Sequence, residues 1–574
     1  MNDKILNGAA ERKDVCGPTK AELRGALEVL RAWQGQRAAL NERVLENRRI
    51  WRMTRRAPRG AEGDPEMTGG WLFNAVANKH ADAMDALPEP CVLPREAEDE
   101  AEAARLSDVL PVILDGCGYE ELYDDLWWSK LIDGTAVTGV FWEPMANEGR
   151  GDISLCEIDL LNIYWEPGVR NIQDSRYIFT LDRQHNSKLI ERWPWLEGRL
   201  KGDGGVDIPG VASDGDYSCV VDWYYHKEGR LHLCRFVGDE LLFCSEELCP
   251  DGWYRHGRYP FVCDMMYPDD KGICGFGAVD VAKNPQKSID RLDSVIMKNA
   301  LSNARPRYFV RVDGGVSEEE FADTTNELVH VSSSALGEDS IRQICAHPLS
   351  DIYTEVLNMK INELKEISGN RDFTQGSTNG GVTSGKAIIA LQEMGSKLSR
   401  DLVKGSYRAL TEVCLMMIEL IREFYTSPRS FRVRRGEGWS CIKYDNRGLM
   451  PGSGGRIFGL EGAARHPIFD VRVEQHKSSP FSREVANERA MELWNSGFFK
   501  PENRAEALAA LDMMDFDGRE RLIARLSSGA EKSAGEGSDN GKTGKSGGSK
   551  IENNSIWEAA ARIDKARRRA GREQ

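Results

Sequence analysis

Residues 380–387 have the spacing of a phosphate-binding loop. They read Gly-Gly-Val-Thr-Ser-Gly-Lys-Ala, matching the pattern G-x-x-x-x-G-K, in which Lys386 would contact a nucleotide phosphate. The match fails at Ala387, because a serine or threonine hydroxyl is needed there to bind Mg²⁺. It also fails in context, because the sequence before it predicts a helix and a polar loop instead of a buried strand. The pattern gives nucleotide binding only weak support.

Other catalytic groupings are missing from the sequence. The nine histidines are dispersed without an H-E-x-x-H motif or a Cys/His group at zinc spacing, and there is no G-x-S-x-G elbow. His226 and His232 fall on neighbouring predicted strands, where we interpret them as hydrogen-bonded sheet residues. The thirteen cysteines are scattered without a C-x-x-C pair, which favours reduced thiols in an intracellular setting over disulfides or zinc. The residues make no positive case for an enzyme or for a cofactor.

Two helices are predicted to flank residues 369–385, a run rich in Gly, Ser, Thr and Asn. The upstream helix covers 351–368 with a cap at Ser350, and its apolar positions recur at helical spacing: Ile352, Val356, Leu357, Met359, Ile361, Leu364 and Ile367. The downstream helix covers 386–425 and would be roughly 60 Å long at 1.5 Å per residue. Residues 369–385 are therefore predicted to form a loop between two rigid rods.

Further helices are predicted in the first half of the chain. One covers 19–56 with Thr19 as its N-cap and a basic end, which we interpret as a solvated helix terminus more readily than as a contact for an acidic partner or nucleic acid. A second covers 71–87, exposes Lys79 and stops at Pro88. A third starts in the acidic run 96–102 and breaks near Pro111. Asn284 and Pro285 are predicted to begin a fourth, which ends near Ala304.

The period changes to that of β strands in two other regions. Strands are predicted over 135–142, 153–158, 177–181, 219–225, 231–237 and 240–244, and again over 431–434, 441–444 and 468–473. Residues 307–349 form a small insert, with strands 308–312 and 328–331, between two helices lying side by side. Residues 482–526 are predicted to be helical, and the Gly-, Ser- and Lys-rich stretch 527–554 to be disordered. The fold class is therefore α+β.

The net charge and the lengths of the apolar stretches limit the classes of partner that the protein can bind. A net charge of −15 argues against a broad basic surface that grips nucleic acid, but it is compatible with a protein that DNA passes without sticking. No stretch approaches the roughly 20 apolar residues that a membrane span requires.

The order of these elements resembles the portal proteins of tailed bacteriophages. Local phrases resemble the family as well: Gly275-Phe276-Gly277 with residues 284–290 before the first stem helix, residues 368–372 and 381–385 in the tunnel loop, and Ala387-Ile388 with Leu391-Gln392-Glu393 at the entry to the long helix. The likeness covers roughly residues 15–525.

The resemblance implies a division of the chain into the parts of a portal subunit. The expected parts are an N-terminal wing (15–284), a stem helix (285–304), a clip (305–350), a second stem helix (351–368), a tunnel loop (369–385), a long wing helix (386–425), wing strands (430–475), a crown (480–526) and a flexible tail (527–574).

It also implies a ring, usually a dodecamer, at one vertex of the virion capsid, assembled in the host cytoplasm. The expected partners are further copies of the chain, the large terminase subunit, a head-completion or adaptor protein, the major capsid and scaffolding proteins, and double-stranded DNA in the channel. No cofactor, metal or membrane is implied. The loop residues expected to contact DNA are Asn370, Arg371, Asp372, Phe373, Thr374, Gln375, Thr378 and Asn379.

Three alternatives stay open at this point. A nucleotide-dependent enzyme using Gly380 to Lys386 would bind ATP and lose that binding in Lys386→Ala. Another phage structural or adaptor protein would be located in the tail. The loop itself could also be a surface loop without DNA contact.

Overall fold

A computed structural model describes most of the chain. The described residues are 17–53, 68–200, 206–212, 214–270, 272–304, 307–310, 341–344, 349–369, 397–435, 438–457, 460–477, 480–496, 504–512 and 514. They divide into two compact units, Met1–Ser482 and Arg483–Gln574, which are treated separately. The mixture of helices and sheets confirms the predicted α+β class.

Eleven helices longer than one turn occur in the described residues. They are α1 (Lys20–Gln36), α2 (Ala38–Trp51), α3 (Trp71–Met84), α4 (Glu100–Gly116), α5 (Tyr119–Asp133), α6 (Asn186–Arg192), α7 (Ala278–Ala304), α8 (Ile352–Ser368), α9 (Lys397–Phe424), α10 (Pro480–Asn495) and α11 (Arg504–Asp512).

The described strands form one five-stranded sheet, one three-stranded sheet and four two-stranded pairs, ordered β4-β5-β6-β7-β8, β3-β2-β9, β1-β16, β10-β11, β12-β13 and β14-β15. They are β1 (Ala86–Pro94), β2 (Thr135–Glu143), β3 (Asp152–Glu157), β4 (Ile163–Trp165), β5 (Tyr177–His185), β6 (Tyr217–Lys227), β7 (Arg230–Val237), β8 (Glu240–Cys244), β9 (Phe261–Met265), β10 (Arg307–Val310), β11 (Ile341–Ile344), β12 (Arg429–Arg435), β13 (Gly438–Tyr444), β14 (Gly452–Ile457), β15 (Leu460–Arg465) and β16 (Phe469–Lys477).

Helices cover the two larger sheets of the first unit, and all of them except α6 fall in predicted helical regions. Leu23, Leu27 and Leu30 of α1 pack on one face of the five-stranded sheet, and Leu189 of α6 belongs to the cluster on the other face. The three-stranded sheet shares its core with α4 and with the apolar face of α9. All nine strands predicted in the two β regions are present, whereas β1, β4, β9, β11, β14 and β15 were missed.

The predicted helix 19–56 is two helices. Thr19 caps the first as predicted, since its hydroxyl accepts from the Glu22 N–H while the Glu22 carboxylate accepts from the Thr19 N–H. The chain leaves helical geometry at Arg37, whose guanidinium donates to the carbonyl oxygens of Leu160 and Ile163. This long-range contact ends the first helix where the local pattern continues.

The predicted helix 71–87 is too long, and the position of Lys79 was wrong. Helix α3 ends at Met84, and residues 86–94 form β1, which pairs antiparallel with β16 despite its three prolines. Lys79 is only 9% exposed, and burial lowers the pKa of its ammonium. Pairing with a strand almost four hundred residues away overrides the local helical signal.

Two helices run through prolines that were predicted to mark a boundary. Helix α4 continues through Pro111 and ends before Gly118, whose φ is 67°. Helix α7 begins at Ala278 and contains Pro285, so the predicted start at Asn284 was wrong. Its true start is stabilised by the Gly277 N–H, which donates to the Asp280 carboxylate at 3.0 Å. Both helices bury apolar residues on each side of the proline, which offsets the lost hydrogen bond.

The second unit contains α11 and most of α10 among its described residues, as the predicted helical region 482–526 requires. Ala490, Ala510 and Leu511 are buried. Residues 515–526 and the predicted flexible tail lie outside the described residues.

Candidate functional site: the helices flanking residues 369–385

Helices α7 and α8 pack side by side, as predicted. Their rise gives lengths of about 40 Å and 25 Å. Ile289 of α7 and Leu364 of α8 are buried together with Ala75 of α3, and Leu357 and Ile361 of α8 pack against this cluster. Strands β10 and β11, which lie between the two helices in the sequence, pair antiparallel from Arg307↔Ile344 to Val310↔Ile341. The chain thus leaves along one helix, turns through a region containing a strand pair, and returns along the other.

Buried polar contacts hold the first half of α7 against α3. The Gln286 amide donates to the Gly69 carbonyl at 2.8 Å and accepts from the Leu72 N–H at 2.9 Å. Asp290, one turn later, accepts from the Gly69 N–H at 2.9 Å. Both side chains are 3% exposed, so breaking these bonds would leave buried polar groups without partners. This part of α7 is therefore fixed in position.

Exposed apolar side chains occur on both helices of this pair. Val295 and Leu301 of α7 are 41% and 46% exposed, and Ile352 and Met359 of α8 are 58% and 65% exposed. Tyr353 and Ile367 of α8 are exposed as well. Ile352 and Met359 are seven residues apart and so lie on one side of α8, opposite the buried Leu364 and the partly buried Leu357. We call these six residues the outer stem face.

Helix α9, which follows the loop, is fixed by a buried ion pair. The Lys130 ammonium of α5 donates to the two carboxylate oxygens of Asp264 at 2.8 and 2.9 Å and to the Ser406 hydroxyl at 2.8 Å. The Ser406 hydroxyl in turn donates to Asp264 at 2.5 Å, and the Leu402 carbonyl accepts from Lys130 at 3.3 Å. Burial lowers the pKa of Lys130, which is 1% exposed, and Asp264 opposes that shift. The pair ties α9 to α5 and β9.

A second ionic group fixes the N-terminal helices. Arg48, the first residue of the predicted basic helix end, binds Asp133 at 2.6 Å and Asp159 at 2.7 Å. Arg48 therefore has internal partners, while Arg55, Arg56 and Arg59 lie outside the described residues.

The eight predicted DNA-contacting residues, Asn370 to Asp372, Phe373, Thr374, Gln375, Thr378 and Asn379, all lie outside the described residues. Helix α8 ends at Ser368 and is capped by Gly369, whose φ of 73° suits the glycine that closes a helix. The next described element is α9, from Lys397, so the prediction of a helix from residue 386 is untested. The last described element before Gly380 is a helix, as predicted, and not the strand of a phosphate-binding loop.

The two histidines are satisfied sheet residues, as interpreted. Cα pairing joins Tyr225 to His232 and His226 to Leu231, so the histidines occupy adjacent rungs of the ladder and opposite faces. His226 bonds to Tyr259 and Gly257, and His232 contacts the Ser245 hydroxyl at 3.3 Å.

Sequence reasoning missed Lys130, Asp264 and Ser406, because these three residues are 134 to 276 residues apart in the sequence and share no local pattern. Gln286 and Asp290 had a weak signal, since they stand four residues apart on a predicted helix.

Comparison with known families decides the identity. A model of phage P22-like portal proteins matches residues 226–541. The chain belongs to this family. The portal match begins near the end of β6 and includes α7, α8, α9 and residues 483–541 of the second unit, so it contains both helices that flank the candidate loop. A comparison with curated proteins found no match.

Portal family membership implies an oligomeric ring at the capsid vertex of a virion, in a family that is structural and not typically enzymatic. Among the described helices, none is long and apolar enough to cross a membrane.

Proposed function

We propose that this portal protein forms the conduit through which DNA enters the capsid during packaging and leaves during ejection. In this proposal α7 and α8 are the stem, residues 305–350 the clip, residues 369–385 the tunnel loop, and residues 480–526 the crown. The clip docks the large terminase subunit and later a head-completion protein. The scaffolding and major capsid proteins are further partners, and the ring is a dodecamer.

The outer stem face is the observation that carries the proposal. Six large apolar side chains are exposed on these two adjacent helices, and we interpret them as one apolar patch of the kind that marks a contact surface. Fully burying side chains of this kind contributes about 1.5–3 kcal/mol each. Neighbouring subunits in a ring would cover this patch at every stem.

Charge on the two helices supports a head-to-tail contact between copies. Lys287 and Arg291 are exposed four residues apart on α7, although Lys287 also binds Glu46. Glu355 and Glu363 are exposed on α8, and Glu363 binds Lys360. A ring interface brings different faces of neighbouring subunits together, so a basic face on α7 and an acidic face on α8 suit it.

The acidic balance of the chain supports passage of DNA without retention. If the channel wall shares the net charge of −15, it repels the phosphates. Arg371 in the loop would then touch phosphates transiently, while Asn370, Thr374 and Gln375 offer neutral contacts.

Negative-stain imaging of the purified protein tests the assembly, and Met359→Lys tests the outer stem face. We expect rings with a central hole for the natural chain and for Met450→Lys, in which an exposed methionine outside the stem is replaced. We expect Met359→Lys to shift the population from rings to monomers, because it places an ammonium in the subunit contact. A strictly monomeric natural chain at micromolar concentration contradicts the ring, and unaffected rings in Met359→Lys contradict the assignment of this face.

Deletion of residues 372–380 tests the tunnel loop. We expect rings to form as before and DNA packaging or retention to fall, because the deletion removes the segment nearest to DNA while leaving α8 and the described part of α9 intact. Normal packaging by the deletion variant would show that this segment does not act on DNA.

A further inference from the structure

Cys234 and Cys244 stand directly opposite each other in the five-stranded sheet. Cys234 is on β7, Cys244 is the last residue of β8, and they are paired Cα partners in the antiparallel ladder. Opposite residues in such a ladder have Cα atoms about 4.5–5.5 Å apart and side chains on one face, within the roughly 4.4–6.8 Å that a disulfide requires. Both are free thiols with no exposed surface.

The two thiols differ in acidity because of their surroundings. A hydrogen bond from Cys234 is the largest effect on Cys244 and lowers the pKa of its thiol. Burial is the largest effect on Cys234 and raises the pKa of that thiol. The Tyr225 hydroxyl lies 3.9 Å from the Cys244 sulfur and donates to Glu246 at 2.5 Å. Cys244 is therefore the better nucleophile of the pair.

The position of Cys244 gives a route to solvent by local opening. Strand β8 is the edge strand of its sheet, it is five residues long, and the ladder to β7 has an irregularity between Arg235 and Phe236. Short edge strands next to such irregularities open at lower free energy than central strands.

We propose that Cys234 and Cys244 are a latent disulfide, reduced while the chain is in the reducing host cell and closed after the virion leaves it. The oxidant is a small disulfide such as oxidised glutathione. The Cys244 thiolate attacks one glutathione sulfur and releases the first glutathione as a thiolate. Cys234 then attacks Cys244 in the mixed disulfide and releases the second. The two cysteine protons go to the two glutathiones, so one disulfide is reduced as another forms.

Peptide mapping of the assembled protein tests this pair. Trypsin cuts at Arg230, Arg235 and Arg255, so Cys234 lies in peptide 231–235 and Cys244 in peptide 236–255 together with Cys249. After incubation with oxidised glutathione and alkylation of the remaining thiols, we expect the two peptides to be covalently joined. The junction is expected to disappear in Cys234→Ala and in Cys244→Ala and to persist in Cys249→Ala.

Exposed Cys441 serves as the internal control for the oxidant, because its peptide 436–443 gains glutathione when the reagent is active. Modified Cys441 with alkylated Cys234 and Cys244 would overturn the proposal. So would a mixed disulfide at Cys244 that never proceeds to the cross-link, or a junction that disappears in Cys249→Ala. Because each readout is local to β7 and β8, the result does not depend on ring formation.

Discussion

Replacement of Asp264 by asparagine should lower the free energy of unfolding more than replacement of Lys130, its cationic partner. In Asp264→Asn the Lys130 ammonium stays buried at 1% exposure without a counter-charge. Removing one partner of a buried ion pair costs about 3–5 kcal/mol. The amide oxygen of asparagine, the Ser406 hydroxyl and the Leu402 carbonyl can still accept from Lys130, so we expect the lower end, about 3 kcal/mol.

Lys130→Met is the matched control. Methionine keeps most of the buried aliphatic volume beside Trp127 and removes the charge. Asp264 keeps its hydrogen bond from Ser406 and has some contact with solvent, so we expect a loss of about 1–2 kcal/mol. Adding Lys130→Met to Asp264→Asn should recover part of the stability, because the unpaired ammonium is gone.

The pH dependence gives a second readout. The pKa of Lys130 is lowered in the folded protein, and without Asp264 it falls further because Asp264 is what raises it. The unfolded chain then binds more protons than the folded chain between that pKa and about 10.4, so folding stability rises with pH in this window. We expect the deficit of Asp264→Asn to be smaller at pH 9.5 than at pH 7.

Urea titrations followed by tryptophan fluorescence at the two pH values measure all three variants. Equal midpoints for Asp264→Asn and Lys130→Met, or a deficit of Asp264→Asn that does not shrink at pH 9.5, would refute the reasoning that an unpaired buried charge dominates.

Three further changes test the frame of the first unit by thermal unfolding. Gly134→Ala should destabilise far more than Gly118→Ala, since both glycines have positive φ but only at Gly134 would the new Cβ meet backbone atoms, the nearest at 2.6 Å; equal midpoints would contradict the steric argument. Arg48→Met should destabilise the folded state at pH 7 and destabilise it less at pH 5. Burial already raises the pKa of Asp133 and loss of Arg48 raises that pKa further, so protonation of Asp133 on acidification favours the folded state. A stability deficit that grows at pH 5 would contradict this. Thr19→Ala should cost about 1 kcal/mol through the lost cap, and no change in midpoint would show that the cap is dispensable.

Residue patterns predicted the helices and strands of this chain better than prolines predicted where those elements begin and end. Six of the seven described strands between 135 and 244 were predicted, because they are rich in β-branched and aromatic residues and because turns such as Glu228-Gly229, with φ of 54° and 76°, carry local signals. Pro111 and Pro285 were misread as boundaries, since tertiary burial sustains both helices through them. Strand β1 was missed because its partner lies at the other end of the unit.

The candidate site was predictable only where its signals are local. The glycine that caps α8 follows from a short-range pattern, and the side-by-side packing of α7 and α8 was predicted from the small insert between them. The Lys130–Asp264 pair does not, because nothing near either residue distinguishes it from a solvated charge. The eight loop residues remain a prediction.

The apolar residues of α8 lie on more than one side of the helix. Seven apolar positions were assigned to this helix of seventeen residues. A helix that packs against one core needs apolar residues on one side only, and in α8 that side contains Leu357, Ile361 and Leu364. Ile352 and Met359 fall on the opposite side, where nothing among the described residues buries them. A helix that is apolar on two sides is best buried by two neighbours, and among the described residues α7 and α3 pack against one side of α8. In the proposed ring, a neighbouring copy of the chain would bury the other side at every stem.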